Sequence, residues 1–178
     1  MGEVTLTVAT AAQMRDLGRS LSTVLRAGDL VILSGGLGAG KTTLTQGIGD
    51  GLGVRGPITS PTFVIARVHP SVTRTATGQP GPPLVHADAY RLGSVLELDD
   101  LDLDADTAAA VTVVEWGEGL AEGLADDRLE IAITSDAVVT GEDEEGDLGD
   151  AQRTVRISAV GERWEGIKLP LVSLADRL

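Results

Sequence analysis

Gly35, Gly40, Lys41 and Thr42 stand at the spacing G-x-x-x-x-G-K-[ST], inside the stretch GGLGAGKTT. Each residue type suits a segment that holds a phosphate chain. Glycines let the backbone of Gly36, Leu37, Gly38, Ala39 and Gly40 curl until successive N–H groups point inward. The helix expected to follow adds its own unpaired N–H groups and the positive end of its dipole. In such a loop Lys41 reaches the β- and γ-phosphates, the Thr42 hydroxyl binds Mg2+ and Thr43 lies beside the α-phosphate. Mg2+ is a hard cation that keeps oxygen ligands, so carboxylates are needed nearby, directly or through water. Two apolar runs end in one: LVHAD at Asp88 and VTVVE at Glu115. Ligands of open α/β sheets bind beyond the carboxyl ends of strands, which directs Asp88 and Glu115 toward the edge where Lys41 stands.

The elements that must position these residues are legible in outline. Val4–Val8 alternates loosely as a short strand. Ala11–Leu25 carries Leu17, Leu21, Val24 and Leu25 on one helical face, with Thr10 as N-cap. Leu30–Leu33 is continuously apolar, as a strand buried on both faces is. A helix runs from Lys41 to Leu52 and stops at Gly53. Phe63–Val68, Leu84–Asp88, Val111–Glu115, Leu129–Ile133 and Thr154–Val160 read as strands. Val95–Ala110 reads as partly helical, and Leu120–Leu124 as a short helix. Pro70–Pro83, with four prolines and two glycines, reads as an exposed loop or hairpin tip, and GEDEEGDLGD at 141–150 as a solvated loop. The expected fold is an α/β, P-loop NTPase-like sandwich with a mixed, mostly parallel sheet flanked by helices. It is one domain over 1–178, with 70–83 and 136–152 as exposed loops.

Composition narrows the function. The formal net charge is −13 over 178 residues, so the chain does not attract a phosphate polymer through its overall field, and any nucleic acid would be held by a partner. There is no Cys, hence no disulfide and no thiolate chemistry. The opening MGEVTLTVATAAQMRD lacks the basic and apolar regions of a signal peptide, and no apolar run is long enough to span a membrane. A cytoplasmic location and no membrane partner are therefore expected. Only Lys41 and Lys168 are lysines, against twelve arginines. In an arginine-rich chain, a lysine at the motif position is evidence that the position is specified chemically.

Four blocks, GGLGAGKTTLTQGIGDGLG, ITSPTF, HADAYRL and VVEW, occur in order between Leu30 and Trp116 and resemble the TsaE (YjeE) family. The combination of S-P-T-[FY], H-x-D-x-Y-R-L and V-E-W is far more specific than the glycine loop. The resemblance implies an ATPase that uses ATP and Mg2+ and turns over slowly alone. It implies association with the TsaD and TsaB proteins, which form threonylcarbamoyladenosine in tRNAs reading ANN codons, so that tRNA is met only through the complex. It further implies that Thr42 and Glu115 bind Mg2+, that Asp88 is a second essential acid and that Lys41 clamps phosphate. Ser60, Pro61 and Thr62 would form a switch-like segment near the γ-phosphate, and Trp116 would lie near the nucleotide. This chain departs from the family pattern at Gly36, usually an acid, at Met14, where a Thr often faces adenine, and at Leu101-Asp102-Leu103.

Other readings of the same residues stand beside these. Ser60 and Thr62 also fit a proline-fixed turn. His86 lies two residues before Asp88 on one strand face, and either bonds toward the site or packs in the core. Tyr90 and Arg91 suit a partner surface, a charge stabiliser or a surface ion pair, and Trp116 and Trp164 also suit core packing. A phosphate-loop small-molecule kinase is the alternative function, although the candidate lid at Pro70–Pro83 contains only Arg74. A GTP switch lacks an N-K-x-D-like segment, and a non-enzymatic adaptor does not call for Lys41, Thr42, Asp88 and Glu115 together.

Overall fold

The computed structural model describes residues 2–60, 66–74, 76, 78–89, 108–116, 119, 121–135 and 151–170. In chain order these form β1 (Gly2–Val8), α1 (Ala11–Ser22), β2 (Leu30–Gly35), α2 (Lys41–Leu52), β3 (Ala66–His69), β4 (Leu84–Asp88), β5 (Val111–Glu115), β6 (Arg128–Ser135) and β7 (Arg153–Val160). Single 3-10 turns lie at Glu122–Leu124 and Glu162–Trp164. The strands make one sheet in the order β1-β7-β6-β2-β5-β4-β3. Its centre, β6-β2-β5-β4, is parallel throughout, and antiparallel pairs lie outside it at β6-β7, β7-β1 and β4-β3. Five strands thus run one way and only β3 and β7 the other, the mixed, mostly parallel sheet that was expected.

The apolar run at Leu30 becomes the middle strand because it has apolar side chains for both faces. Val31 and Leu33 join the helix-side core with Leu84, Val111, Val113 and Ile131. Leu30 and Ile32 join a second core on the opposite face with Val85, Ala87 and Val114. In β4 and β5 the same alternation puts His86, Asp88 and Glu115 on the face that carries α2.

Helix α1 begins where Thr10 caps it, its side chain accepting from the Gln13 N–H. It ends at Ser22, three residues before the expected Leu25. The last turn tightens, Thr23 N–H donating to the Ser20 carbonyl and Val24 N–H to the Leu21 carbonyl, and just beyond it Arg163 Nη2 donates to the Val24 carbonyl at 2.8 Å. The same guanidinium forks onto both Asp29 oxygens at 3.1 and 3.0 Å, and the Asp29 carboxylate accepts from Arg26 N–H at 2.8 Å. Helix α2 covers the expected span, closed by Gly53 in the left-handed conformation. The expected Phe63–Val68 strand is seen as β3 from Ala66, residues 61–65 lying outside the described residues. The Pro70–Pro83 segment links the antiparallel pair β3-β4 and carries a bridge between Arg74 and Pro80, so it is a hairpin connection. The helical reading of Val95–Ala110 falls mostly, and the acidic 141–150 loop wholly, outside the described residues.

Four-residue spacing of Gly47 and Gly51 in α2 looks wrong for a helix, since glycine is a poor helix former. Packing explains it. A Cβ on Gly47 would overlap the Arg15 carbonyl, one on Gly18 the Leu44 carbonyl, and one on Gly51 the Ser22 hydroxyl. The two helices meet backbone to backbone, which pins the start of α2 relative to the sheet. Gly47→Ala sets two magnitudes against each other. Helix propensity would gain about 1 kcal/mol, whereas overpacking costs typically about 1–3 kcal/mol. Because the obstacle is backbone, the expected outcome is a net loss, read as a lower denaturation midpoint. A variant more stable than the parent would show that the helices separate freely.

Candidate functional site

The glycine loop leaves β2 and enters α2 through three glycines at positive φ: Gly35 at 151°, Gly38 at 71° and Gly40 at 110°. Gly40 is the N-cap of α2 and supplies no side-chain cap, and the first turn contains no acid. The opening N–H groups of a helix have no intrahelical partners, so this end is open to an anion. Gly36 has no positive φ and a Cβ there meets nothing within 4 Å. An acid at this position would fit, so the departure to Gly36 is not imposed by space. Leu37 projects at the loop tip, 79% exposed.

Lys41, the first residue of α2, folds back over the loop. Its Nζ donates to the Gly35 and Gly36 carbonyls at 2.9 Å each and lies 4.0 Å from the centroid of the Trp116 ring. Burial lowers the affinity of this amine for its proton, while the charges of Glu115 and Asp88 raise it again. Trp116 is the only described non-glycine residue with positive φ, 58°, a conformation costing roughly 1–2 kcal/mol for an L-residue. Its N–H donates to the Leu33 carbonyl at 2.8 Å, which holds the turn after β5 against β2. A cation over an aromatic face returns about 0.5–2 kcal/mol, a magnitude comparable to that strain.

Asp88 and Glu115 are register partners on adjacent parallel strands, both buried. The Thr42 hydroxyl donates to Glu115 Oε1 at 3.1 Å, tying the start of α2 to the end of β5. Thr43 follows in the first turn, half-buried. The structure therefore brings together Lys41, Thr42, Asp88, Glu115 and Trp116 around the loop formed by Gly36, Leu37, Gly38, Ala39 and Gly40. Ser60 is described, and the chain leading to it is held to α2 by Gln46 Nε2 donating to the Ile58 carbonyl at 2.9 Å. Thr62, Tyr90 and Arg91 lie outside the described residues. Met14 is fully buried in the helix-side core, so its side chain is a packing element. Trp164 packs in the same core, as expected.

Two residues were underrated by their local sequence. His86 is both of the things its spacing allowed, fully buried and bonded to Glu115 Oε1 at 2.8 Å through Nε2. Arg153, the first residue of β7, reaches the loop from the far side of the sheet order, donating to the Gly38 carbonyl at 3.5 Å and to Ala151. No motif marks it. Only the antiparallel return of β7 places its first residue at the edge where the parallel strands end.

A glycine loop between a buried strand and a helix, facing carboxylates at the ends of neighbouring parallel strands, makes this a P-loop NTPase-like α/β protein. The crystal structure of Bacillus subtilis YdiB superposes with a TM-score of 0.64 at 27% identity, covering 92% of this chain and 90% of that one. Residues 8–142 match the family described as threonylcarbamoyl adenosine biosynthesis protein TsaE, and the chain belongs to that family. Relatives bearing the name tRNA threonylcarbamoyladenosine biosynthesis protein TsaE include one from Streptomyces coelicolor, 59% identical over 85% of this chain and 93% of its own length. One from Mycobacterium tuberculosis is 48% identical over 74% of this chain and 79% of its own. One from Bacillus subtilis is 36% identical over 78% of this chain and 74% of its own.

Proposed function

We propose that this chain is a Mg2+-dependent ATPase that acts with TsaD and TsaB in forming N6-threonylcarbamoyladenosine at position 37 of tRNAs reading ANN codons. Family membership supports the pathway. The observation that carries the ATPase reading is the bond between Thr42 and Glu115, residues 73 positions apart whose oxygens meet beside the loop.

The donor set fits the group. Thr42 gives its only hydrogen to Glu115, so its lone pairs remain for a cation. Glu115 Oε2 makes no hydrogen bond among the described residues. Both are hard oxygen donors. Among the described residues no group of three or more His, Cys, Asp or Glu is placed to hold a metal ion by itself, so a cation here would take its other ligands from water and phosphate, as Mg2+ commonly does. Once bound, Mg2+ would neutralise charge on the phosphate oxygens. The chain's own residues do the rest. Loop N–H groups orient the phosphates, Lys41 places an ammonium against them, Glu115 stands with Thr42 toward the cation, and Asp88 supplies an acceptor for a water proton.

Turnover by the chain alone is expected to be low, with hydrolysis driving or resetting the partners' cycle. The test is phosphate release from Mg2+–ATP by the chain alone, then with purified TsaD, TsaB and tRNA. Low turnover that rises with the partners supports the reading. Turnover indifferent to them, or phosphate appearing on a small-molecule acceptor, overturns it.

A further inference from the structure

The two nitrogens of His86 stand in different surroundings. The side chain is fully buried on β4. Nε2 lies 2.8 Å from Glu115 Oε1, while Nδ1 has no hydrogen-bond partner among the described residues. A carboxylate only accepts, so the hydrogen of this bond belongs to Nε2. Placing the proton there leaves a bare lone pair at Nδ1, and folded proteins tolerate an orphaned acceptor better than an orphaned buried N–H. The surroundings thus hold the ring as an Nε2–H donor aimed at Glu115.

Glu115 Oε1 accepts twice, from His86 on β4 and from Thr42 on α2. The torsion that turns a glutamate's carboxylate plane is intrinsically broad. Two donors on two different elements, converging on one oxygen, restrain that plane and leave Oε2 without a hydrogen bond among the described residues.

We propose that His86 is a positioning residue for Glu115. It touches neither nucleotide nor cation, and acts by holding the carboxylate in the orientation that, with the Thr42 hydroxyl, receives Mg2+. This rests on the Mg2+–nucleotide reading above and adds to it a residue that sets cation affinity. Partners of this kind, behind a metal-binding carboxylate, typically change metal affinity by about 10–100-fold when lost.

The test measures nucleotide affinity by titration calorimetry across a Mg2+ series and in EDTA, for the parent and for His86→Leu, His86→Gln and His86→Asn. Glutamine can place its amide nitrogen near the Nε2 position, whereas asparagine is too short. In H86L the Mg2+ concentration that gives half the tightening is expected to rise about 10–100-fold, with affinity in EDTA close to that of the parent. H86Q is expected to recover most of that loss and H86N little of it. Should H86L fail to fold, H86Q against H86N carries the same comparison between two neutral polar side chains. A Mg2+ response in H86L and H86N equal to the parent's, or H86Q as impaired as H86N, overturns the positioning role. A parent chain whose nucleotide affinity ignores Mg2+ overturns the Mg2+–nucleotide reading itself, and this role with it.

Discussion

Lys41→Ala is expected to reduce ATP turnover by about 10²–10³-fold, the usual effect of losing one preorganised donor to a developing charge. Mg2+–ATP binding should weaken with it. The ammonium is held by two loop carbonyls at 2.9 Å and by the Trp116 ring, so its position is set before any ligand arrives. Lys41→Arg should not rescue. A compact ammonium donates to both carbonyls beneath an indole 4.0 Å away, and a planar guanidinium does not fit that geometry. The variant should also be less stable than the parent, because it loses two hydrogen bonds to the loop carbonyls and the contact with the Trp116 ring. Calorimetric titration, phosphate release and a thermal melt check the three parts. Parent-like turnover in the alanine variant would remove Lys41 from the mechanism.

Glu115→Gln should separate binding from turnover. The amide keeps the side chain's size and can still accept from Thr42 and His86 through its oxygen. What it loses is the negative charge that would help hold Mg2+. Turnover is expected to fall by about 10²–10³-fold, a loss typical of removing one charge-stabilising contribution. Nucleotide affinity should fall far less. Stability should change little, since the amide oxygen can keep both hydrogen bonds while only the attraction to Lys41 is lost. A variant that hydrolyses at the parent rate would mean that Asp88 alone carries the acidic role. One that loses nucleotide binding entirely would mean that Glu115 serves mainly to hold the loop.

Caps and glycines located the local elements well. Thr10 opens α1, Gly53 closes α2 and continuous apolar runs mark the inner strands, because each feature acts through residues a few positions apart. Helix α1 ends at Ser22 and not at Leu25, because the apolar periodicity of Val24 and Leu25 continues past the tightened last turn, where the Val24 carbonyl accepts from Arg163, 139 positions away. Gly47 and Gly51 carry no local signal of their role, which is set by α1 pressing against them.

By itself the sequence determined the loop, its lysine and threonine, the two carboxylates at strand ends and the family. These follow from residue type and short spacing, which is where backbone conformation and phosphate chemistry are encoded. Only the tertiary structure decided that Glu115 receives both Thr42 and His86, that Trp116 turns back over Lys41 and that Arg153 reaches Gly38. Each of these contacts joins residues 29 to 115 positions apart. Their meeting depends on strand order and direction, which are set by how the whole sheet buries its two faces and not by any local pattern.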